Sequence, residues 1–287
     1  MITLHEHVIK SKKLVITFGG LPSSKTKTGF GTDFALKLGF DTIYVAQAAN
    51  TQYQGLSLED FYKHIEDIIQ GRECITYGSS LGAYSAIYYG GIINALIIAA
   101  APKNSAHPSL AYGKFKNISF KHKELKDIPK SLIPPVLIYD PYHKEEVSFI
   151  EKHVRPAYDS LRIVQVPFSG HTVLNTMKLS GVLTSFMVNL IESKKIIPFV
   201  MKTDDCYVWN GEVSRFYFSK GEIQSAIKYA ERSLEIHLNK EALGYLVNYY
   251  VSLKRYDELK KLYQEYVVRK GLVPTQASAN IFQKYIK

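Results

Sequence analysis

Apolar residues fall along the chain in two kinds of run. Short, β-branched runs recur at Thr3–Ile9, Lys13–Phe18, Asp41–Gln47, the stretch from Cys74, Ala95–Ala100, Pro134–Tyr139 and Leu161–Val166. Between them, apolar positions take helical spacing at Asp33–Leu38, Leu56–Ile69, Leu81–Tyr89, Lys144–Val154 and Leu174–Ile191. The alternation of these strands with helices of this length predicts a mostly parallel α/β sheet covered on both faces. Ser57 suits an N-cap, and Glu59 and Asp60 follow where negative charge favours a helix start. Residues 103–130 are basic and have no clear period, which leaves two readings open: a small lid, or a loop with a short helix.

The pattern changes after Ile197-Pro198, and from Gly211 it is helical only. Phe218–Ile227 has the polar-apolar order of the turn and second helix of a tetratricopeptide repeat, and Val251–Leu259 repeats it about one 34-residue period later. Ser233 stands where such repeats usually have alanine, and Lys254 where the turn usually has glycine. The expected organisation is an α/β unit over 1–192 and a small all-α helical unit over 193–287. The helical unit is expected to cap the α/β unit or to contact a protein or polymer.

Composition narrows the function classes. The chain has 287 residues, 46% hydrophobic and 22% charged, which is enough for a sizeable core. Its net charge of +10 comes mostly from scattered lysines. That reads as a solvated surface, or as attraction to an anionic partner such as an acidic glycan. No nucleic-acid-binding motif is present, so no nucleic-acid partner is expected. Cys74 and Cys206 are far apart, which excludes a disulfide framework and a cysteine metal site; no metal is expected. Ile92–Ala101 is too short to span a bilayer, and Met1–Lys13 has no apolar core of a secretory signal. A cytoplasmic location is the expectation.

The chemistry centres on Gly78-Ser79-Ser80-Leu81-Gly82, a G-x-S-x-G placed between a strand and a helix. In a nucleophile elbow that setting exposes the serine hydroxyl at the edge of the sheet. Ser80 is the candidate nucleophile. It needs a base, and the base needs an orienting acid. Asp140 and His171 each follow a predicted strand, in the order serine, acid, histidine, and at the sheet edge where ligands bind. Glu145 or Glu146 is the runner-up acid, and Asp159 is weaker. His107, His143 and His153 are competing bases, none of them so cleanly placed at a strand end. Oxyanion-hole donors are expected from the Leu81 N–H and from Gly20 or Leu21 after the early strand. Lys25, Lys27 and Lys103 lie in loops at the same edge and are candidate binders of an anionic substrate.

Ser80, Asp140, His171 and Gly19-Gly20 together resemble the α/β-hydrolase superfamily over roughly residues 1 to 192. Asn50–Gln54, Tyr77–Tyr84 and Ala99–Pro102 more narrowly resemble bacterial proteins encoded with capsule and surface-glycan genes. Ala83 stands where members often have a second elbow-helix glycine. The resemblance implies acyl transfer through an acyl-serine, with no cofactor. The first expectation is an esterase (deacetylase) acting on an acylated or anionic bacterial surface glycan. The alternatives are a capsule O-acetyltransferase using acetyl-CoA, and a catalytically idle scaffold in glycan assembly with a protein partner on its C-terminal helices.

Overall fold

The computed structural model describes residues 2–7, 11–21, 26–47, 51–110 and 113–286. Lys25, Asn50 and the end of the first predicted strand, Val8 and Ile9, lie outside the described residues. The strands are β1 (Ile2–His7), β2 (Lys13–Phe18), β3 (Asp41–Gln47), β4 (Glu73–Ser79), β5 (Leu96–Ala100), β6 (Val136–Tyr139) and β7 (Arg162–Gln165). They form one sheet in the order β1-β3-β2-β4-β5-β6-β7. β1 pairs antiparallel with β3, and every other pairing is parallel. Burial along β3 and β5 is continuous, as expected of strands covered on both faces.

The helices between the strands are α1 (Thr32–Lys37), α2 (Leu58–Ile65), α3 (Leu81–Gly90) and α4 (Lys144–Phe149). Ser57 caps α2 as expected, its hydroxyl accepting from the Asp60 N–H at 2.9 Å. α4 continues into a π-helical turn over Ile150–Val154, so the predicted helix is present but changes pitch halfway. The single helix expected over 174–191 is two: α5 (Val173–Leu179) and α6 (Leu183–Ser193). Gly181 (φ 77°) ends the first, with the Val182 N–H returning to the Met177 carbonyl at 3.0 Å.

Several described residues of the aperiodic stretch before β6 are packed into the core. Leu125 and Ile128 join the core of the sheet, and His122 is 8% exposed among Tyr84, Tyr88 and Tyr89. Its Nε2 lies 3.0 Å from the Tyr53 carbonyl, which can only accept, so Nε2 carries the proton. Nδ1 then accepts from the Tyr84 hydroxyl at 3.1 Å. Burial pushes the His122 pKa down to about 4. The unfolded chain therefore takes up this proton near the ordinary histidine pKa and the folded chain only near 4. Stability from this group is fully present above about pH 6.5 and is lost as pH falls toward 4, in all about 3 kcal/mol. Urea midpoints measured across that range should fall more steeply for the wild type than for His122→Gln.

The chain divides into two compact units. One comprises Met1–Pro167, His171–Leu174 and Asn189–Lys195; the other Phe168–Gly170, Asn175–Val188 and Ile196–Lys287. The second contains α7 (Tyr207–Ser219), α8 (Ile223–Ile236), α9 (Lys240–Ser252), α10 (Tyr256–Leu262) and α11 (Gln276–Tyr285). Its core is built on Ala226, Leu234, Leu243, Leu246, Leu259 and Phe282. Among the described residues no helix is long and apolar enough to cross a membrane.

Candidate active site

β4 ends at Ser79 and α3 begins at Leu81, so one residue makes the reversal. That residue is Ser80, held at φ 56°, ψ −120°. A non-glycine residue in such a conformation costs of order 1–3 kcal/mol, which the surroundings must offset. They do so through the backbone. The Ser80 N–H donates to Ala100 at the end of β5 (2.9 Å), and its carbonyl accepts from Tyr84 (3.1 Å) and Lys103 (3.2 Å).

The two elbow glycines are there for space. A Cβ on Gly78 would overlap the backbone of Gly82, and a Cβ on Gly82 would overlap the Phe18 carbonyl of β2. Neither neighbour is a flexible side-chain end. Gly82→Ala should therefore cost about 3 kcal/mol or more, read as a drop in denaturant midpoint. Ala83→Gly, in the same helix, should cost only about 1 kcal/mol of helix propensity.

His171 lies in the 3-10 turn Gly170–Thr172 that follows β7. Its Nε2 accepts from the Ser80 hydroxyl at 2.8 Å. On the other side, Nδ1 donates to the Glu146 carboxylate in a short hydrogen bond. Ser80, His171 and Glu146 are thus joined in one line, and the carboxylate bonded to His171 is that of Glu146 rather than the expected Asp140. Asp140 is buried at the end of β6, where its Oδ1 accepts the Tyr142 N–H at 2.9 Å and its carbonyl accepts the His143 N–H at 3.1 Å. It makes the Asp-Pro turn. Glu146 sits in the first turn of α4, and its longer side chain brings a carboxylate to His171.

Glu146 is 0% exposed, and its second oxygen has no hydrogen-bond partner among the described residues. His143 Nδ1 stands 3.4 Å from the oxygen that His171 uses, without making a hydrogen bond. A buried carboxylate with little other compensation is well placed to hold a proton on His171 Nδ1 and to stabilise the imidazolium. The neighbouring Glu145 points elsewhere. It is largely exposed and pairs with Lys103 at 2.6 Å, which holds its carboxyl below the usual range.

Other expected site residues fall as follows. Leu81 opens α3, so its N–H has no acceptor within the helix. β2 and β4 are in register at Thr17 and Tyr77, which brings Gly20 abreast of Ser80; a Cβ on Gly20 would stand 4.0 Å from the Ser79 carbonyl. Leu21 follows it, and its side chain packs on the core. Lys103 is next to the elbow, but its ammonium is taken by Glu145. Lys27 is exposed, and its carbonyl accepts from His7 at 2.8 Å. Of the competing bases, His107 and His153 face Glu124 rather than Ser80. Asp159 is exposed.

No family model matches the chain, and no curated protein matches it. Solved structures are similar in part. Est1E from Butyrivibrio proteoclasticus with bound ferulic acid is 13% identical, with a TM-score of 0.42 over 66% of this chain and 94% of that one. Dienelactone hydrolase from Anabaena variabilis is 12% identical, with a TM-score of 0.42 over 64% and 87%. Alpha/beta hydrolase domain-containing protein 10 from mouse is 12% identical, with a TM-score of 0.43 over 68% and 95%. The names of these structures are those of esterases and hydrolases.

Proposed function

We propose that the protein is a serine hydrolase that cleaves carboxylic esters through an acyl-Ser80 intermediate. The observation that carries this reading is the unbroken line Ser80–His171–Glu146 at a strained strand-to-helix turn. His171 takes the Ser80 proton as the oxygen attacks the acyl carbon, then returns it to the leaving alcohol; water reverses the sequence. Glu146 orients His171 through the hydrogen bond from Nδ1. The N–H groups of Leu81 and of Gly20 or Leu21 are proposed to hold the oxyanion, each worth about 3 kcal/mol of barrier. No cofactor enters this chemistry.

A fluorophosphonate probe should label the protein at Ser80, found by peptide mapping. Labelling at another residue, or none, would overturn the proposal.

Within it, an acylated bacterial surface glycan is the substrate we propose, on the resemblance of Tyr77–Tyr84 and Ala99–Pro102. Acetate released from a model ester without glycan supports the esterase. Acetyl-CoA consumed only when glycan is present would instead support an O-acetyltransferase. A catalytically idle scaffold has no use for the Ser80–His171 hydrogen bond at 2.8 Å, which favours the working enzyme.

For the C-terminal helices we propose a pair of tetratricopeptide-like repeats that receive a protein partner. The turns after α7 and α9 are built alike: Gly221 and Lys254 are both left-handed, and each N–H returns to the carbonyl three residues earlier at 3.0 Å.

A further inference from the structure

Away from Ser80, three segments bring a second group of titratable side chains together. His107 lies in the turns after β5 and is 5% exposed. Glu124 precedes the 3-10 turn Leu125–Asp127, and His153 belongs to the π-helical turn that follows α4. His107 Nε2 stands 3.9 Å from Glu124 Oε1, and His153 Nδ1 stands 3.8 Å from Glu124 Oε2. One ligand atom from each of the three residues fits within 4.8 Å of the others.

These separations are too long for hydrogen bonds, so direct contact gains little. They are close to what a cation would set. With metal–ligand bonds near 2.1 Å, the edge of a tetrahedral site is about 3.4 Å. The two histidine–carboxylate pairs reach it with roughly half an ångström of side-chain movement, and the widest pair with at most about 1.4 Å. Glu124, whose side chain is 48% exposed, is free to make that movement.

What holds the rings matters as much. Ser109 Oγ lies 2.8 Å from His107 Nδ1 and 2.9 Å from His153 Nε2, so the far nitrogen of each ring meets the same oxygen. A hydroxyl oxygen has two acceptor lone pairs and can take an N–H from each ring. In the tautomer that donates to Ser109, His107 Nε2 and His153 Nδ1 present lone pairs on the Glu124 side. A ligating histidine characteristically donates its other N–H in this way. The Ser109 N–H also approaches His107 Nδ1, at 3.2 Å, so without a cation His107 uses its other tautomer and binding exchanges the two. Both rings pack edge-on or tilted against Phe149, which limits their rotation. The π-helical turn bearing His153 is itself a feature that recurs at functional sites.

We infer that His107, Glu124 and His153 form a binding site for a divalent cation of the zinc class, with Ser109 fixing both imidazoles. Two imidazoles and a carboxylate are a donor set that suits zinc, with water completing the tetrahedron. The cation ties the turns after β5 and the 3-10 turn at Leu125 to the helical stretch that begins with α4, which carries Glu146 at its other end. Ser109 and Glu124 are open to solvent and give it a way in.

The test uses the full chain freed of metal by a chelator and titrated with Co2+ and then Zn2+. One equivalent of Co2+ should give tetrahedral d–d absorption that Zn2+ removes, and Zn2+ should raise the melting temperature by several degrees. Glu124→Gln and His153→Ala should abolish both signals, and Ser109→Ala should weaken binding about tenfold. Glu124→Gln changes an exposed side chain and keeps its size, so it remains a folded control if His153→Ala does not. Glu146 stands beside His143 and His171, the other histidine–carboxylate group, so His171→Ala is the counter-test and should retain the Co2+ spectrum. Absence of stoichiometric binding, survival of the signals in Glu124→Gln, or their loss in His171→Ala would each overturn the assignment.

Discussion

Alanine at Ser80 should lower kcat for a model acetyl ester by about a million-fold while leaving the protein folded. A nucleophile that forms the covalent intermediate cannot be replaced by its neighbours, and losses of that size are typical when one is removed. The residual rate would come from the oxyanion donors and from binding alone. His171→Ala should cost about as much. The double variant should cost no more than either, because Ser80 and His171 act as one unit through the bond at 2.8 Å. Stability separates this effect from damage to the fold. Ser80 sits at φ 56°, and alanine inherits that strain, so Ser80→Ala should melt within a degree or two of the wild type. Ser80→Gly removes the Cβ from the strained position and should gain about 1 kcal/mol or more, at the same loss of activity. Retention of esterase activity in Ser80→Ala within tenfold would sink the assignment.

The parts of this site that were legible in the sequence are those written locally. G-x-S-x-G between a β-branched run and a helical run located the elbow, because the close approach of Gly78 to Gly82 and of Gly82 to Phe18 leaves no space for a Cβ. His171 stands six residues beyond β7, in the segment after the last strand, and the structure brings it to Ser80. The carboxylate bonded to His171 differs from the one expected for a geometric reason. A carboxylate reaches the histidine from wherever the chain after β6 brings it, and the Asp-Pro pair satisfied itself by making a turn. The Glu145-Glu146 pair one turn later was a signal, but the direction of each side chain depends on how α4 leaves the sheet. Residues that act through non-local packing were not visible at all. His122 had no period to mark it, because tyrosines from α3 and the Tyr53 loop bury it. His107, Glu124 and His153 come from three separate stretches and appear as a group only in three dimensions. The division of the chain is of the same kind: 168–170 and 175–188 group with the second unit although they precede residue 192.

The burial of Glu146 gives the assignment of the acid its sharpest consequence. A carboxylate with 0% exposure, one of whose oxygens has no partner, is costly to maintain as a charge. The imidazolium that develops on His171 during the reaction is the positive charge nearest that carboxylate, through the hydrogen bond from Nδ1. Glu146→Gln keeps the size of the side chain but can donate to His171 Nδ1, which favours the tautomer that cannot take the Ser80 proton at Nε2 in a productive way. The expected loss in kcat is about ten-thousand-fold, the scale seen when a triad acid is replaced by its amide. Asp140→Asn should behave differently. Its carboxylate serves the turn through Tyr142, so the expected loss is a modest destabilisation of about 1–2 kcal/mol with kcat within about tenfold of wild type. His143→Ala distinguishes a merely crowded site from a working one. With its ring 3.4 Å from the Glu146 oxygen gone and no hydrogen bond lost, kcat should stay within a few-fold of wild type. Measured side by side on one ester, a ranking with Asp140→Asn below Glu146→Gln in activity would return the acid to the end of β6.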